Sequence, residues 1–513
     1  MPDLFNCFEG TSLSSVILAK ALSNKLNTEV IPFYSVPWHS LIGRPEEEVG
    51  DSKYIDMHSF YGESEFKRII SQFGAESDNY KCRHLSKTEL QLLSIDMNVE
   101  QWLLVDLTGR FFHRGIARKD VLRFIDMLAK FYSDVIERES PERVFDLDTS
   151  SILRKILYIV CERNNVDYFS LTHSRLDSLV VLTKTLGGEI GEELHFKKSD
   201  LNNDFSKGKV YIETYQKRNE IMNKEERVYE SSIRSYTLTS FFYQCYGLFR
   251  YVLKSYFDRL KKSVKIKASN GFSKVISPSL IEGFLYSFKM NINKLLRAKL
   301  PCSQCNFDLN NNGYFYLPLS YLVEGVSPVF FGGIVSDYQV IDSIRAHIPF
   351  DKSVAVKEHR AMISERTNKG VRKISDIPSV YYFGLYTKCK DQINPVLLIK
   401  DSCGVICHSG TTGLEAAILG KPLLIFGSPV YNQFIKHTYI PSQSTVRDFF
   451  SDPTKFIPNI DNVSEYIAVV LDVGISINYS SLFNGVPCNE DIDKICDLFV
   501  SELSTGKMRS SSL

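Results

Sequence analysis

Hydroxyl, imidazole and glycine residues cluster between His408 and Gly413, and residues of these types in this order could bind a negatively charged group. The apolar run Cys403–Cys407 before them predicts a strand buried on both faces, and Leu414–Leu419 after them is helical in composition. A helix N-terminus at the carboxyl end of a parallel strand presents N–H groups that bind phosphate. Gly410 and Gly413 would let the backbone come close to the ligand. We therefore predict an anion site, and the residues assigned to it are His408, Ser409, Gly410, Thr411 and Thr412.

A second polar cluster follows the predicted strand Ser353–Val356. A lysine, a histidine and an arginine at this strand end can neutralise a phosphate or hold a carboxylate. Because polar clusters recur at two strand ends of one predicted domain, a shared ligand site is favoured over two ordinary solvated strand ends. The residues assigned to this cluster are Lys357, Glu358, His359 and Arg360.

Glu415 has two interpretations that the sequence leaves open. Its carboxylate could accept hydrogen bonds from the N-terminal N–H groups of its own helix. It could instead accept hydrogen bonds from a pair of ribose or sugar hydroxyls.

The order of the predicted elements indicates an α/β fold. Strands and helices alternate over the first ~200 residues and again from Asn310, which predicts two Rossmann-like, doubly wound domains with a helical insertion between them. The predicted boundaries are 1–204 for the N-terminal domain, 205–309 for the insertion, 310–480 for the C-terminal domain and 481–513 for a final helix and tail.

Composition excludes several classes of protein. The chain has 513 residues, 44% of them hydrophobic, and a net charge of +1, which argues against nucleic acid as a partner. It has no apolar run of about 20 residues and no secretory signal, so we expect a cytoplasmic protein. The 11 cysteines are expected to be thiols. No metal site is predicted, because the pair Cys302 and Cys305 lacks a second pair of ligands at the usual distance.

The predicted insertion is both basic and aromatic. Between Arg250 and Lys274 there are eight basic residues and one acidic residue, Asp258. Aromatic residues occur at helical spacing in the same region. One interpretation is a helix that packs its aromatic side chains inward, and the other is contact of 241–274 with an anionic membrane surface.

Two segments resemble a known family, VKEHR at 356–360 and CHSGTTGLEAAILGKPLLIFG at 407–427. Together they resemble the C-terminal nucleotide-sugar domain of GT-B-fold glycosyltransferases. They are most similar to the capsule polysaccharide synthesis group, which includes the Kdo transferases of bacterial capsules. The opening GYFYLPLSYLVEG, followed by GGIVSDYQVIDSI, is also similar to that group, so the resemblance covers residues 313–435. Arg360 stands where the group has proline.

The resemblance implies a glycosyltransferase that moves a sugar from a nucleotide-activated donor to a growing polysaccharide or a lipid-linked glycan. It implies that the donor is a substrate, that no other cofactor or metal is needed, and that the protein works at the inner face of the cell membrane. The N-terminal domain would bind the acceptor. The nucleotide site would be formed by Lys357, His359, Ser409, Thr411, Thr412 and Glu415.

An inverting transfer also needs a base that takes the acceptor's proton. Glu9, in the loop after the first predicted strand, is the first candidate, and Asp106 and Asp148 are the alternatives at later strand ends. His359 would stabilise charge on the leaving phosphate. Three other functions stay open: a nucleotide-sugar epimerase, a glycerophosphate transferase, and a catalytically silent scaffold of a polysaccharide-assembly complex.

Overall fold

The computed structural model of the protein describes residues 2–7, 12–35, 48–49, 52–74, 81–93, 118–149, 152–186, 189–197, 204–225, 238–261, 285, 288–289, 291–293, 295–296, 313–319, 337–359, 368–383, 395–408, 410–435, 441–479, 481–484 and 486–510. The strands, in chain order, are β1 (Asp3–Asn6), β2 (Val30–Tyr34), β3 (Ile55–Asp56), β4 (Arg143–Asp146), β5 (Asp167–His173), β6 (Leu179–Thr183), β7 (Tyr314–Pro318), β8 (Ser353–Lys357), β9 (Val380–Phe383), β10 (Gly404–Cys407), β11 (Leu423–Ile425) and β12 (Ile475–Ser476).

The helices, in chain order, are α1 (Ser12–Leu26), α2 (Met57–Tyr61), α3 (Glu63–Gly74), α4 (Lys87–Leu92), α5 (Arg118–Glu139), α6 (Ile152–Arg163), α7 (Glu189–Lys197), α8 (Ser206–Glu225), α9 (Leu238–Lys261), α10 (Asp337–Ile344), α11 (Asn368–Ser375), α12 (Pro395–Asp401), α13 (Thr411–Ile418), α14 (Asn432–Ile435), α15 (Gln443–Ser451), α16 (Ile460–Val473), α17 (Ser481–Asn484) and α18 (Asn489–Ser510). A 3₁₀ helix covers Pro453–Phe456.

The strands form two sheets, each with its own doubly wound order. The first sheet has the order β12-β6-β5-β4-β1-β2-β3, and the second has the order β11-β10-β7-β8-β9. In the first sheet β1 pairs with β2 on one side and with β4 on the other, and in the second sheet β7 pairs in the same way with β8 and β10. The strands β1 to β5 run parallel, as do all five strands of the second sheet, whereas β6 and β12 are antiparallel to their neighbours. The predicted α/β class with two Rossmann-like domains is confirmed.

The chain divides into two compact units. Unit 1 is Met1–Leu186, Lys254–Glu282 and Val473–Leu513, and unit 2 is Gly187–Leu253 and Gly283–Asp472. The C-terminal segment belongs to unit 1 because β12 pairs with β6, and because Lys25 of α1 forms an ion pair with Asp497 of α18 at 2.7 Å. This differs from the predicted boundary, which assigned residues up to 480 to the C-terminal domain.

Both faces of the first sheet are covered by apolar side chains. Leu4 and Val144 belong to one buried cluster, whereas the next residues along each strand, Phe5 and Phe145, belong to the cluster on the other face. Since successive side chains of a strand point to opposite faces, a strand covered on both sides is mostly apolar, and buried polar residues in it, such as Asn6 and Asp146, need hydrogen-bond partners. This is why continuous apolar runs, rather than alternating ones, identify the strands in the sequence.

Candidate functional site

The second sheet has a topological switch point between β7 and β10. Chain connections run from β7 toward β9 on one side and from β10 to β11 on the other, so a crevice is expected beyond the carboxyl ends of these two strands. Both predicted polar clusters lie at this carboxyl edge, since one follows β8 and the other follows β10.

Strand register places the two clusters at the same level. Lys357 pairs with Pro318 of β7, and Gly404 pairs with Phe315, so extending that pairing by three residues sets Cys407 opposite Pro318. Two strand spacings of about 4.8 Å put the ends of β8 and β10 roughly 10 Å apart. A phosphate group bound beyond β7 could therefore be reached from both clusters.

The helix α13 begins at Thr411, three residues earlier than the sequence predicts, and its N-terminus has no side-chain cap. Gly410 is the N-cap residue and supplies no side-chain hydrogen bond to the first turn. Thr411 is exposed and Thr412 is half-buried, and neither hydroxyl bonds another described residue. The Gly413 N–H donates to the Gly410 carbonyl at 3.2 Å, whereas the N–H groups of Thr411 and Thr412 keep their capacity to bind an anion.

The two glycines of this turn have different roles. A Cβ on Gly410 would meet nothing within 4 Å, so the space beside it is open to a ligand. A Cβ on Gly413 would lie 2.3 Å from the Tyr431 hydroxyl and 2.8 Å from Cys407 Sγ. The expectation that Gly413 admits a ligand is therefore wrong, because its missing side chain makes room for Tyr431.

His408 lies beneath the site and not at its surface. Its side chain is 1% exposed, and its Nδ1 is 3.4 Å from Oδ1 of Asp337, which is itself fully buried on α10. We assign His408 to positioning the turn after β10, which corrects its prediction as a direct ligand contact. Asp337 was missed as a site residue, although it occurs in the family-like segment GGIVSDYQVIDSI.

Glu358 also turns inward. Its Oε2 accepts a hydrogen bond from the Tyr382 hydroxyl at 2.6 Å, and its Oε1 accepts one from the His359 N–H at 3.0 Å. Only 3% of Glu358 is exposed, so the prediction that it contacts the ligand is corrected to a role in fixing the end of β8. His359 is exposed and Lys357 is half-buried. Arg360 and Ser409 lie outside the described residues.

Glu415 lies in the second turn of α13, and so it does not cap the helix. Its carboxylate makes no hydrogen bond to a described residue, and burial raises its pKa. Burial, with a contribution from the Glu415 carboxylate, also raises the pKa of the nearby Tyr316 hydroxyl. Of the two interpretations of Glu415, capping of α13 is therefore not supported, and acceptance of hydrogen bonds from ligand hydroxyls stays a prediction.

Replacing Glu415 with glutamine is expected to raise the melting temperature at pH 8. Because burial raises the folded-state pKa, the folded protein binds this proton more tightly than the unfolded chain. The contribution of Glu415 to the free energy of unfolding is therefore most favourable at low pH. It is lost as the pH rises from the unfolded-state pKa of the carboxyl group through its raised folded-state pKa. Differential scanning calorimetry at pH 5 and pH 8 should show a larger gain at pH 8. The control is replacement of the exposed Glu213 of α8 with glutamine, which should leave the melting temperature unchanged at both pH values. A Glu415 variant that melts below the wild type at pH 8 would contradict the inference that burial of this carboxylate is unfavourable.

The first sheet has a buried charged network at its own switch point. Arg154 of α6 donates to Asp146 at 3.0 Å and to Asp148 at 2.7 Å, and Asp146 also accepts hydrogen bonds from Asn6 and Tyr168. The second oxygen of Asp148 accepts a hydrogen bond from Tyr479 at 3.2 Å. Because both Asp148 oxygens are engaged, the structure does not support the alternative prediction that Asp148 is the base.

Glu9 and Asp106, the two other predicted bases, lie outside the described residues. Across the described part of the chain, no group of three or more His, Cys, Asp and Glu side chains is arranged to hold a metal ion.

Comparison with known proteins finds one family model that matches part of the sequence of unit 2. Residues 329–435 match a family model described as capsule polysaccharide biosynthesis protein. No protein of curated function matches the sequence. The matched segment contains the turn at 408–413, the polar cluster after β8, and Asp337.

Several solved structures show a low level of similarity to this chain. KpsC from Thermosulfurimonas dismutans, a beta Kdo 2,7 transferase, is 11% identical, with 72% of this chain and 89% of that chain covered and a TM-score of 0.32. UDP-GlcNAc 2-epimerase from Neisseria meningitidis is 9% identical, with 98% and 99% covered and a TM-score of 0.28. HepE from Anabaena, in complex with UDP and glucose, is 9% identical, with 98% and 99% covered and a TM-score of 0.24.

Over residues 329–435 the chain has the sequence pattern of the capsule polysaccharide biosynthesis family, and the predicted resemblance to that group is confirmed there.

Proposed function

We propose that the protein is a glycosyltransferase that moves a sugar from a nucleotide-activated donor to a cell-surface polysaccharide or glycolipid. One observation carries this proposal: the uncapped N-terminus of α13 lies at the switch point of unit 2, within the segment that matches the capsule polysaccharide biosynthesis family. The donor binds unit 2 and the acceptor binds unit 1.

Each site residue has a distinct task in the proposed reaction. The N–H groups of Gly410, Thr411 and Thr412 bind the phosphate that leaves, and Lys357 and His359 supply positive charge. As the glycosidic bond breaks, negative charge grows on that phosphate, so these groups stabilise the transition state more than the bound donor.

The other groups hold the donor hydroxyls and manage the proton. The half-buried carboxylate of Glu415 accepts hydrogen bonds from ribose or sugar hydroxyls. The base that removes the acceptor's proton is assigned to Glu9. The proposed charge stabilisation comes from protein groups, so transfer is expected to continue in EDTA.

A thermal-shift panel of CMP, CDP, UDP and GDP tests the nucleotide site. A nucleotide present at about 100 times its Kd should stabilise the protein by about 2.7 kcal/mol. Replacing His359 with alanine should weaken that binding, whereas replacing Glu9 with alanine should leave binding intact and lower turnover. The matched control is replacement of His347, a half-buried histidine of unit 2 that bonds Gln443 at 2.8 Å and precedes β8 at the opposite edge of the sheet.

Two outcomes would count against this proposal. If none of the four nucleotides stabilises the protein, the scaffold alternative is favoured. If a bound nucleotide sugar is altered in the absence of any acceptor, the epimerase alternative is favoured.

We also propose that α9 contacts an anionic membrane surface. Its residues Leu238, Phe242, Tyr246 and Phe249 recur every three or four positions, so they share one face, and they are 57%, 61%, 60% and 51% exposed. Tyr243 beside them is 79% exposed. Exposed aromatic patches of this kind mark interaction surfaces, and the excess of basic residues after Arg250 selects an anionic partner. No helix among the described residues has both the length and the apolar character needed to span a bilayer.

Replacing Phe242 and Phe249 together with serine is expected to reduce co-sedimentation with phosphatidylglycerol vesicles by about tenfold or more, because each lost phenyl group removes about 2 kcal/mol of apolar burial. The control is replacement of Val210, which is 62% exposed on α8, and it should leave binding unchanged. Equal binding to phosphatidylcholine vesicles, or no loss in the double variant, would contradict this proposal.

A further inference from the structure

An open depression of ≈ 610 Å³ lies in unit 1, at the carboxyl edge of the first sheet. It is formed where β5 ends at His173, where the turn 174–178 leads into β6, and where the chain leaves β12. Its size is within the range of ligand pockets and is sufficient for a sugar unit.

The turn 174–178 is held in one conformation at some conformational cost. Arg175 and Asp177 have positive φ angles of 69° and 46°, which non-glycine residues rarely adopt. The Ser174 hydroxyl keeps the turn in place, since it donates to the Leu179 carbonyl at 2.7 Å and accepts from the Leu176 N–H at 3.2 Å. The turn therefore presents Asp177 and Ser178 in a fixed geometry on the rim of the depression.

His173 offers a hydrogen-bond donor to this depression. Its Nδ1 accepts the Arg175 N–H at 2.9 Å, so in the neutral ring the proton resides on Nε2. Burial, together with the charge of Arg175, lowers the pKa of His173 to about 4, and the ring is therefore neutral at physiological pH. The Tyr479 ring packs edge-on against it, with the ring centroids 5.8 Å apart, and adds apolar surface.

Asp491 offers a charged acceptor to the same depression. The residue is only 6% exposed, and its one hydrogen bond among described residues is a 3.3 Å contact from the Asn478 N–H to Oδ2. Its Oδ1 therefore keeps its accepting capacity toward the depression that the side chain lines. Because the depression is open, water can reach this oxygen, and a ligand hydroxyl could take the place of that water.

The lining has two carboxylates, Asp177 and Asp491, and no cation. Two cations lie close to this lining, Arg175 in the same turn and Lys494 of α18. Since Lys494 is also paired with Glu490 at 2.6 Å, the surroundings of the depression stay net negative. A ligand here must donate several hydrogen bonds, accept one from an imidazole, and carry no negative charge of its own.

We propose that this depression binds an uncharged, hydroxyl-rich sugar ring, such as a neutral hexose unit of the acceptor glycan. Sugar hydroxyls donate to Asp491 and Asp177, the His173 Nε2–H donates to a sugar oxygen, and Tyr479 covers the apolar side of the ring. The description of this sugar as part of the acceptor rests on the proposed glycosyltransferase function, whereas the binding of a neutral sugar in the depression does not.

The test is saturation-transfer NMR on the full chain with methyl glycosides of glucose, galactose and N-acetylglucosamine, and with glucuronate as the acidic counterpart. At least one neutral glycoside should bind, and glucuronate should bind at least about tenfold more weakly. Replacing Asp491 with asparagine should weaken binding of the neutral sugar by about tenfold, because a charged acceptor is lost while the shape of the side chain is kept. Ser178→Trp, at an exposed rim position, should abolish binding without altering the fold.

The matched control is Asp493→Asn, two residues further along α18, where the carboxylate is 67% exposed and pairs with Lys25 at 3.3 Å. This variant should bind sugar like the wild type. Glucuronate binding as tightly as the neutral glycosides, no sugar binding at all, or equal losses in Asp491→Asn and Asp493→Asn would each overturn the proposal. If nucleotides bind in the thermal-shift panel and no sugar binds here, only this inference fails. If a sugar binds and no nucleotide does, the proposed transferase function fails alone.

Discussion

Replacing Arg154 with leucine is expected to lower the free energy of unfolding of unit 1 by about 3–5 kcal/mol. The guanidinium is 2% exposed and is the partner of two buried carboxylates, Asp146 and Asp148. Desolvation raises the pKa of Asp146, and the Arg154 charge is the largest opposing influence. Removing that charge leaves both carboxylates buried without compensation, which costs far more than a lost surface ion pair.

The Arg154 variant should also respond to pH in a defined direction. Without the guanidinium, the folded-state pKa of Asp146 rises further, so the folded protein binds its proton more tightly than the unfolded chain does. Stability of the variant relative to the wild type should therefore improve as the pH falls from 8 to 5. Replacement of Arg154 with lysine keeps the charge but not the forked geometry of the guanidinium. The free energy of unfolding of this variant is therefore expected to lie between those of the wild type and the leucine variant.

Tryptophan fluorescence in urea measures this effect, because both tryptophans of the chain, Trp38 and Trp102, occur in the sequence of unit 1. A leucine variant that loses less than about 1 kcal/mol would show that the surroundings can accept the unpaired carboxylates, and the network would not have the assigned role.

The fold of unit 2 could be predicted from sequence because its strands are continuous apolar runs bounded by polar turns. The predicted strand Cys403–Cys407 agrees with the observed β10, Gly404–Cys407, to within one residue. The start of α13 was placed three residues too late, because Thr411, Thr412 and Gly413 are weak helix formers and read as a turn. Tertiary packing, including the hydrogen bond from the Tyr431 hydroxyl to the Gly410 carbonyl, overrides that propensity.

The direction of polar side chains at strand ends could not be predicted. Glu358 and His359 are adjacent and equally polar, yet one bonds Tyr382 of the next strand and the other is exposed. His408 faces Asp337, which is 71 residues away in sequence. Which polar group meets a partner depends on strand order, and strand order is a property of the folded sheet rather than of a local pattern.

The network around Arg154 was missed for the same reason. Its members come from β1, β4, β5, α6 and the segment after β12, so Asn6 and Asp146 are 140 residues apart. In the sequence, Arg154 is one of several basic residues on an amphipathic helix, and its burial has no local signal. Buried charges of this kind become visible only when long-range strand pairing is known.

Replacing Gly413 with alanine is expected to destabilise unit 2 by about 1–3 kcal/mol and to weaken nucleotide binding. The new methyl group would lie 2.3 Å from the Tyr431 hydroxyl and 2.8 Å from Cys407 Sγ. Tyr431 is fully buried, so it cannot swing into solvent to relieve the contact. Either the ring moves and loses its 2.7 Å hydrogen bond to the Gly410 carbonyl, or the first turn of α13 shifts with its anion-binding N–H groups.

A double-mutant cycle separates this contact from a general effect of alanine. Tyr431→Phe removes the hydroxyl oxygen and leaves Cζ 3.3 Å from the added methyl group, so Gly413→Ala should cost less in that background. We expect a favourable coupling free energy of about 1–2 kcal/mol in urea unfolding followed by circular dichroism, and partial recovery of the nucleotide-induced thermal shift. Gly410→Ala is the control, because an added Cβ there meets nothing within 4 Å and the φ angle of −78° suits alanine. This replacement should lower the free energy of unfolding by less than about 1 kcal/mol. Strictly additive losses at Gly413 and Tyr431 would show that the helix start is not held against this ring, and the proposed geometry of the phosphate site would then have no support from packing.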